Sequence, residues 1–368
     1  MKISIFAFIA VSLLSGLSYA QDASTSEGQL SILHRNRLFA GTPIKKFSAK
    51  IIALKAPGQL FSTTMPVAYD GKVYIGTDSG IVYLATPTEL KPLSKLEGAG
   101  AITGAPAISN DTIVVGFKNN LVAAFSRTDG SLFWKFETKG PVVTTPLIKN
   151  NNVYASSASG HVYALRADNG SFKWRFTAIS NPSSPAYDKD MLFVGNDRGR
   201  LYAIDTKDGF KSGYEIWSQN WAGGTPLING PDIYAVALRG SVYEIDLTTG
   251  HSVADTRSFL KMDACELACG SNIMVVRTTS GLVAYDSRVG EGGKWEKNFP
   301  KPISGFPIIV GDVVYAACLD GNLYALDLQT GTEYSHLDLG FIPIASPAFC
   351  NNQIVIANQD QVFFMSGE

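Results

Sequence analysis

The sequence predicts an all-β protein, an eight-bladed β-propeller of four-stranded antiparallel blades whose last blade is closed by the N-terminal strand. Three observations predict it. Prolines recur at Pro66, Pro106, Pro146, Pro185, Pro226, Pro307 and Pro347, at intervals of 40, 40, 39, 41, 81 and 40 residues, the long interval being a doubled step. Fourteen positions after each proline stands a turn residue: Gly80, Asn120, Gly160, Gly199, Gly240, Gly321 or Gln361. Eight positions after the same slot stand Tyr74, Val114, Tyr154, Phe193, Tyr234, Val275, Tyr315 and Val355, each in a short β-branched or aromatic run bounded by turn residues. Leu267 takes the place of the missing proline and Gly281 is its turn residue, so the units number eight.

From the N-terminus, residues 1–20 read as a secretory signal. Lys2 supplies the charge, Ile3 to Leu14 the apolar stretch, and Ser18-Tyr19-Ala20 a small-x-small cleavage site. A membrane anchor is the competing reading, against which the apolar run is short. No cysteine adjoins the cleavage site, so a lipid-bearing N-terminal Cys is not expected. The mature chain is expected to be soluble, monomeric, and periplasmic or secreted. Residues 21–43 read as a flexible leader and 44–368 as the propeller. Each unit runs like Val73-Tyr74-Ile75-Gly76, a turn at Thr77-Asp78-Ser79-Gly80, then Ile81-Val82-Tyr83-Leu84. A proline at a strand's first position removes no needed ladder bond. The eighth unit stops soon after Val362-Phe363-Phe364, one strand short. The segment Lys46–Leu54 supplies that strand and removes an exposed edge.

The formal net charge is −1, and −2 without the signal, which excludes a broad field for nucleic acid or anionic lipid. Four cysteines in an exported chain raise the question of disulfides. Cys265 and Cys269 in one extended strand would lie roughly 13 Å apart, too far for a bridge without a curled loop. Cys318 and Cys350 fall in different units, and the disulfide state stays open. His34, His161, His251 and His336 are scattered without metal-ligand pairing, and no nucleophile–base constellation occurs. No catalytic residue, metal or cofactor is therefore expected. Asn110-Asp111-Thr112 and Asn169-Gly170-Ser171 fit glycosylation acceptors in a eukaryotic chain, and tight turns otherwise.

Ala203-Ile204-Asp205, Glu244-Ile245-Asp246 and Ala325-Leu326-Asp327 precede Asp208-Gly209, Thr249-Gly250 and Thr330-Gly331. With Asp129-Gly130-x-x-x-Trp134 and Asn169-Gly170-x-x-x-Trp174, they resemble the A-x-D-x-x-T-G-x-x-x-W signature of the pyrroloquinoline-quinone-like (PQQ) repeat propellers, over roughly residues 46–367. That family includes quinone-dependent alcohol dehydrogenases and the non-enzymatic BamB-type scaffolds of outer-membrane protein assembly. The resemblance implies that Trp134 and Trp174, with Trp217 and Trp295 as looser versions, dock each blade on its neighbour. It does not imply dehydrogenase activity, because the adjacent Cys-Cys pair of those enzymes is absent. A PQQ-binding protein or PQQ-dependent enzyme is the alternative. Size and unit number resemble the BamB type, which implies protein partners in the cell envelope, including the outer-membrane β-barrel assembly machinery. The segments aligned with that type's partner-gripping residues read Thr177-Ala178-Ile179-Ser180 and Trp221-Ala222-Gly223-Gly224, so those residues do not carry over.

Positions that break the repeat's own pattern are the candidate interaction residues. Ten positions after the proline slot stand Gly76, Gly116, Ser156, Gly195, Val236, Ala317 and Ala357, but Arg277 in the sixth unit. Glu266 stands just before the same unit's slot. With residue 268 facing 277 across a hairpin, Glu266 becomes a diagonal neighbour of Arg277 near the channel mouth. The pair reads as an ion pair, either local structure or a binding feature. Thirteen positions after the slot stand Arg198 and Arg239, then Asp320 and Asp360, either solvated turn residues or a face basic on one side and acidic on the other. Trp221 reads as an exposed contact or as a side chain buried against a neighbouring blade.

Overall fold

The computed structural model describes residues 38–56, 61, 65–209, 211–217, 225–229, 231–236, 241–247, 257–258, 266–270, 272–286 and 293–368. Residues 1–20, expected to be a signal, and Trp221, Arg239 and Cys265 lie outside the described residues. No helix occurs among them, and none is long and apolar enough to cross a membrane.

The described residues form eight sheets, seven of four strands and one of five; consecutive strands of each pair antiparallel in chain order, and the sheets of blades 7 and 8 each add one strand from the N-terminal segment. Blade 1 runs from Val67–Tyr69 to Glu89–Lys95, and blade 7 from Ile308–Val310 to Glu333–Asp338. The first strands of neighbouring blades touch one another and so line the axis, while the fourth strands form the rim. Blade 8 takes its fourth strand from the other end of the chain: Phe47–Lys55 pairs antiparallel with Gln361–Gly367, with Ile52 opposite Phe364 and Leu54 opposite Val362. The ring is an eight-bladed β-propeller closed head to tail, as the period predicts. Because the strands alternate in direction, the turns between second and third strands share one face with the loops between blades. We call this the upper face.

Packing between blades explains the repeat. The slot eight positions after the proline holds Tyr74, Tyr154, Tyr234 and Tyr315, among the largest fully buried side chains. Ten positions after it a small residue is needed: a Cβ on Gly76 would stand 2.6 Å from Ile102, and one on Gly116 2.3 Å from Val142, each on the loop leading into the next blade. Trp134, Trp174 and Trp295 each reach the next blade. Their Nε1 atoms donate to the carbonyls of Ala167, Thr206 and Leu328 in the next blade, at 2.8, 2.9 and 2.9 Å. Their rings lie flush on the signature glycines, where a Cβ on Gly170, Gly209 or Gly331 would approach to 2.6 Å. The glycine and the tryptophan of the signature thus meet across blades rather than within one. Trp217 occupies the last position of its rim strand. In blade 7 the tryptophan slot is Ser335, whose hydroxyl donates to the Lys45 carbonyl at 2.9 Å.

The stretch expected to be a flexible leader ends in ordered structure. Leu38–Phe39 forms a fifth strand, parallel to the axial strand of blade 7, with Leu38 beside Ile309 and Phe39 beside Val310. Phe39 is buried edge-on against Phe349 of blade 8. From there the chain crosses the lower side of the seam between blades 7 and 8 to reach the rim. Ile44 hydrogen-bonds Tyr315, Lys45 pairs with Asp312 at 2.6 Å, and Lys46 pairs with Glu368. The two chain ends are therefore joined at the axis, under the seam and at the rim.

Candidate functional site

On the upper face the loop from blade 3 to blade 4 holds a strained, exposed apolar residue. Ile179 has φ +68° and is 55% exposed. A β-branched side chain rarely adopts this left-handed conformation, and such strain persists only where surroundings impose it. The imposing groups are visible. Ala178, buried, donates its N–H to the Gly160 carbonyl at 2.8 Å. The Ala178 carbonyl accepts from Asn196 Nδ2 at 2.7 Å and from the Tyr202 hydroxyl at 3.0 Å. Beyond Ile179, Ser180 donates to Asp197, and Asn181 Nδ2 donates to the same carboxylate at 2.9 Å. Both flanks being pinned, residue 179 turns its side chain to solvent.

Asn196, fully buried, also organises the adjoining turn. Its Oδ1 accepts the N–H of Arg198 at 3.1 Å and of Arg200 at 3.0 Å. One carboxamide therefore holds both the Ile179 loop and the turn carrying the exposed Arg198. Elsewhere on this face Val143, Leu319, Ile342 and Ile344 stand 41%, 38%, 60% and 38% exposed, in loops between blades or in the blade 7 turn. These apolar side chains and the Arg198 guanidinium share the upper face. Such a surface can bury aliphatic side chains of a partner and place a forked donor beside them.

Asp320 and Asp360 share this face with Arg198 but are engaged locally. Asp320 accepts from the Tyr324 hydroxyl at 2.7 Å and the Asn322 N–H at 2.9 Å. Burial works to raise its pKa, and these hydrogen bonds outweigh it and hold the carboxyl below the usual range. Asp360 pairs with Lys55 of the N-terminal rim strand at 3.2 Å.

Glu266 and Arg277 are brought together more closely than expected. They are directly opposed across the strand pair, and residue 268 faces Val275 rather than 277. Gly270 is paired with Ile273, so every pairing is shifted by two positions from the expected one. Arg277 fills the slot kept small elsewhere. Its Nη1 donates to the carbonyl of Ile303 at 2.9 Å, on the loop that in blades 1 and 2 packs on a glycine. The guanidinium thus ties blade 6 to the loop entering blade 7.

Cys269, Cys318 and Cys350 are buried free thiols. Burial pushes Cys269 up to about 12 and Cys350 to about 11, so neither is a ready thiolate. Among the described residues no group of His, Cys, Asp and Glu is placed to hold a metal ion. His161 shares a hydrogen bond with Ser159 at 3.0 Å, and its pKa is lowered by burial and then by the charges of Arg175 and Lys139. The sequence reading missed Ile179 and Asn196. The signal was present: the aligned segment puts an isoleucine where a soluble loop needs none, five residues after a docking tryptophan.

The family described as outer membrane protein assembly factor BamB matches residues 78–292. Outer membrane protein assembly factor BamB of Shewanella oneidensis is 25% identical over 196 residues, covering 50% of this chain and 48% of that protein, so the match spans about half the length of that relative. Among solved structures, BamB from Moraxella catarrhalis superposes with a TM-score of 0.72 at 18% identity, covering 88% of this chain and all of that one. Quinohemoprotein alcohol dehydrogenase from Comamonas testosteroni superposes with a TM-score of 0.77 at 12% identity, covering 96% of this chain and 84% of that one. At these identities the superpositions show the shared fold.

Proposed function

We propose, from the premise that this chain belongs to the PQQ-like repeat propellers of the outer membrane protein assembly factor BamB family, that it is an exported, non-catalytic scaffold. It binds proteins of the cell envelope through its upper face and takes part in outer-membrane protein assembly. The observation that carries this reading is Ile179: an exposed β-branched residue at φ +68°, held there by Asn196, Tyr202 and Asp197. It stands in the loop aligned with the partner-gripping segment of the BamB type. Strain maintained by surrounding hydrogen bonds, around a side chain that stays more than half exposed, fits selection for a contact outside the molecule. The apolar Val143, Ile342 and Ile344 and the cationic Arg198 extend that contact across the upper face.

Crosslinking in the native envelope, read by mass spectrometry, tests this. Crosslinks should run from the upper face to a component of the β-barrel assembly machinery, and Ile179→Ser with Arg198→Glu should abolish them. Crosslinks confined to the lower face, or capture undiminished in that variant, would overturn the reading. So would saturable quinone binding coupled to alcohol oxidation.

A further inference from the structure

The rim strands of blades 2 and 3 carry a surface that upper-face binding does not use. Leu132–Glu137 and Phe172–Thr177 repeat one pattern, in which only Trp134 and Trp174 are buried. Leu132, Phe133 and Phe172 are 44%, 48% and 54% exposed, on strands whose outer side could be polar at no cost. Phe136 and Phe172 stack across the seam with centroids 6.3 Å apart and rings 12° from parallel, so the apolar surface is continuous between the blades. Interleaved with it are the exposed Lys135, Lys173 and Arg175. None of the three forms an ion pair among the described residues, and Lys173 donates to Asn152 Oδ1 at 2.9 Å. Glu137 is the single acidic side chain on the two strands. The cationic character is local, since the whole chain carries a formal charge of −1.

We infer that this rim docks the propeller on a bilayer of anionic phospholipids. Exposed aromatic rings suit the boundary between headgroups and acyl chains, and unpaired lysine and arginine beside them suit lipid phosphates. The alternative occupant of an open rim strand is a strand of another protein. Charged side chains on an edge strand oppose such pairing, and Lys135, Lys173 and Arg175 lie on these two edge strands. Docking by the rim leaves the upper face open, so this inference stands or falls apart from the scaffold reading.

The test is co-sedimentation of residues 21–368 with vesicles of phosphatidylcholine alone or mixed with phosphatidylglycerol, at low and high salt. Binding is expected to the mixed vesicles, to weaken with salt, and to fall on the order of tenfold in both Phe133→Ser/Phe172→Ser and Lys135→Glu/Arg175→Glu. The thermal midpoint of Lys135→Glu/Arg175→Glu should stay that of the parent, and that of Phe133→Ser/Phe172→Ser should fall only by the loss of the Phe136 stack. Lys72→Glu/Lys294→Glu, an equal charge change at exposed positions in blades 1 and 6, should bind as the parent does. Absent binding, equal binding to uncharged vesicles, or binding unchanged in the rim variants would overturn the inference. Capture of a protein partner by the rim without vesicle binding would do the same.

Discussion

The side-chain amide of Asn196 holds the carbonyl of Ala178 at 2.7 Å, and through it fixes the backbone on which Ile179 turns outward. Asn196→Ala removes this bond, leaving the Tyr202 hydroxyl as the remaining donor to the Ala178 carbonyl, and takes away the acceptor for the Arg198 and Arg200 N–H groups. The expected loss is about 2–3 kcal/mol in urea unfolding, with weaker capture of envelope partners. Ile179→Gly should separate stability from binding. Glycine accepts φ +68° freely, so the variant should gain on the order of 0.5–1 kcal/mol while losing partner capture. A variant that is both less stable and fully competent in capture would contradict the assignment.

Gly331 and Gly340 share φ +71° but differ in surroundings. A Cβ on Gly331 would stand 2.6 Å from the Trp295 ring, whereas one on Gly340 would meet nothing within 4 Å. Gly340→Ala should cost only the left-handed conformation, about 1–2 kcal/mol. Gly331→Ala should cost at least about 2 kcal/mol more, since it forces the docked ring off its rotamer or the blades apart. Equal costs in denaturant titrations would mean that the ring is not held against Gly331.

Tyr315 accepts the N–H of Ile44 and donates to its carbonyl at 2.8 Å. Tyr315→Phe leaves both backbone groups of Ile44 unmatched at a buried site, for a loss of about 1–3 kcal/mol. Hydrogen exchange should show the Ile44 amide opening first. Protection of that amide equal to the parent's would argue against the strap under blades 7 and 8.

Asp232 is raised to about 6, by burial first and then by the negative charges of Glu244 and Asp246. The native state thus binds this proton more tightly than the unfolded chain, whose aspartates titrate near about 3.9. Its contribution to stability is fully present below about pH 4 and is lost as pH rises through about 6. Asp232→Asn escapes that loss. Relative to the parent, its thermal midpoint should climb between about pH 4 and pH 6 and level off above. A difference independent of pH would show that Asp232 titrates normally.

Much of the ring was legible because it is local. Alternating apolar residues, the turn glycines and the proline slot each act within a few positions, and their repetition gave the eight sheets and the closing strand to within one residue of Phe47–Lys55. Glu266 and Arg277 show the limit of such reading. Both were singled out as departures from the repeat, yet residue 268 rather than Glu266 was set against Arg277; the paired strands fix the register, with Gly270 opposite Ile273 and Glu266 opposite Arg277. Ile179 shows another limit. Its identity was plain, but its left-handed backbone follows from hydrogen bonds made by Asn196, Tyr202 and Asp197 on the next blade.

The linear chain by itself determined the period, the number of blades, the small and aromatic slots between them and the signature that marks the family, since each is written in residues whose spacing equals one structural repeat. Only the tertiary structure decided that Leu38–Phe39 joins the axial strand at Ile309–Val310, that signature glycines bed the previous blade's tryptophans, and that Phe136 meets Phe172 at the rim. These contacts arise where ring closure and blade stacking bring separate segments together. Their energies depend on distances that no neighbouring residue in the chain encodes.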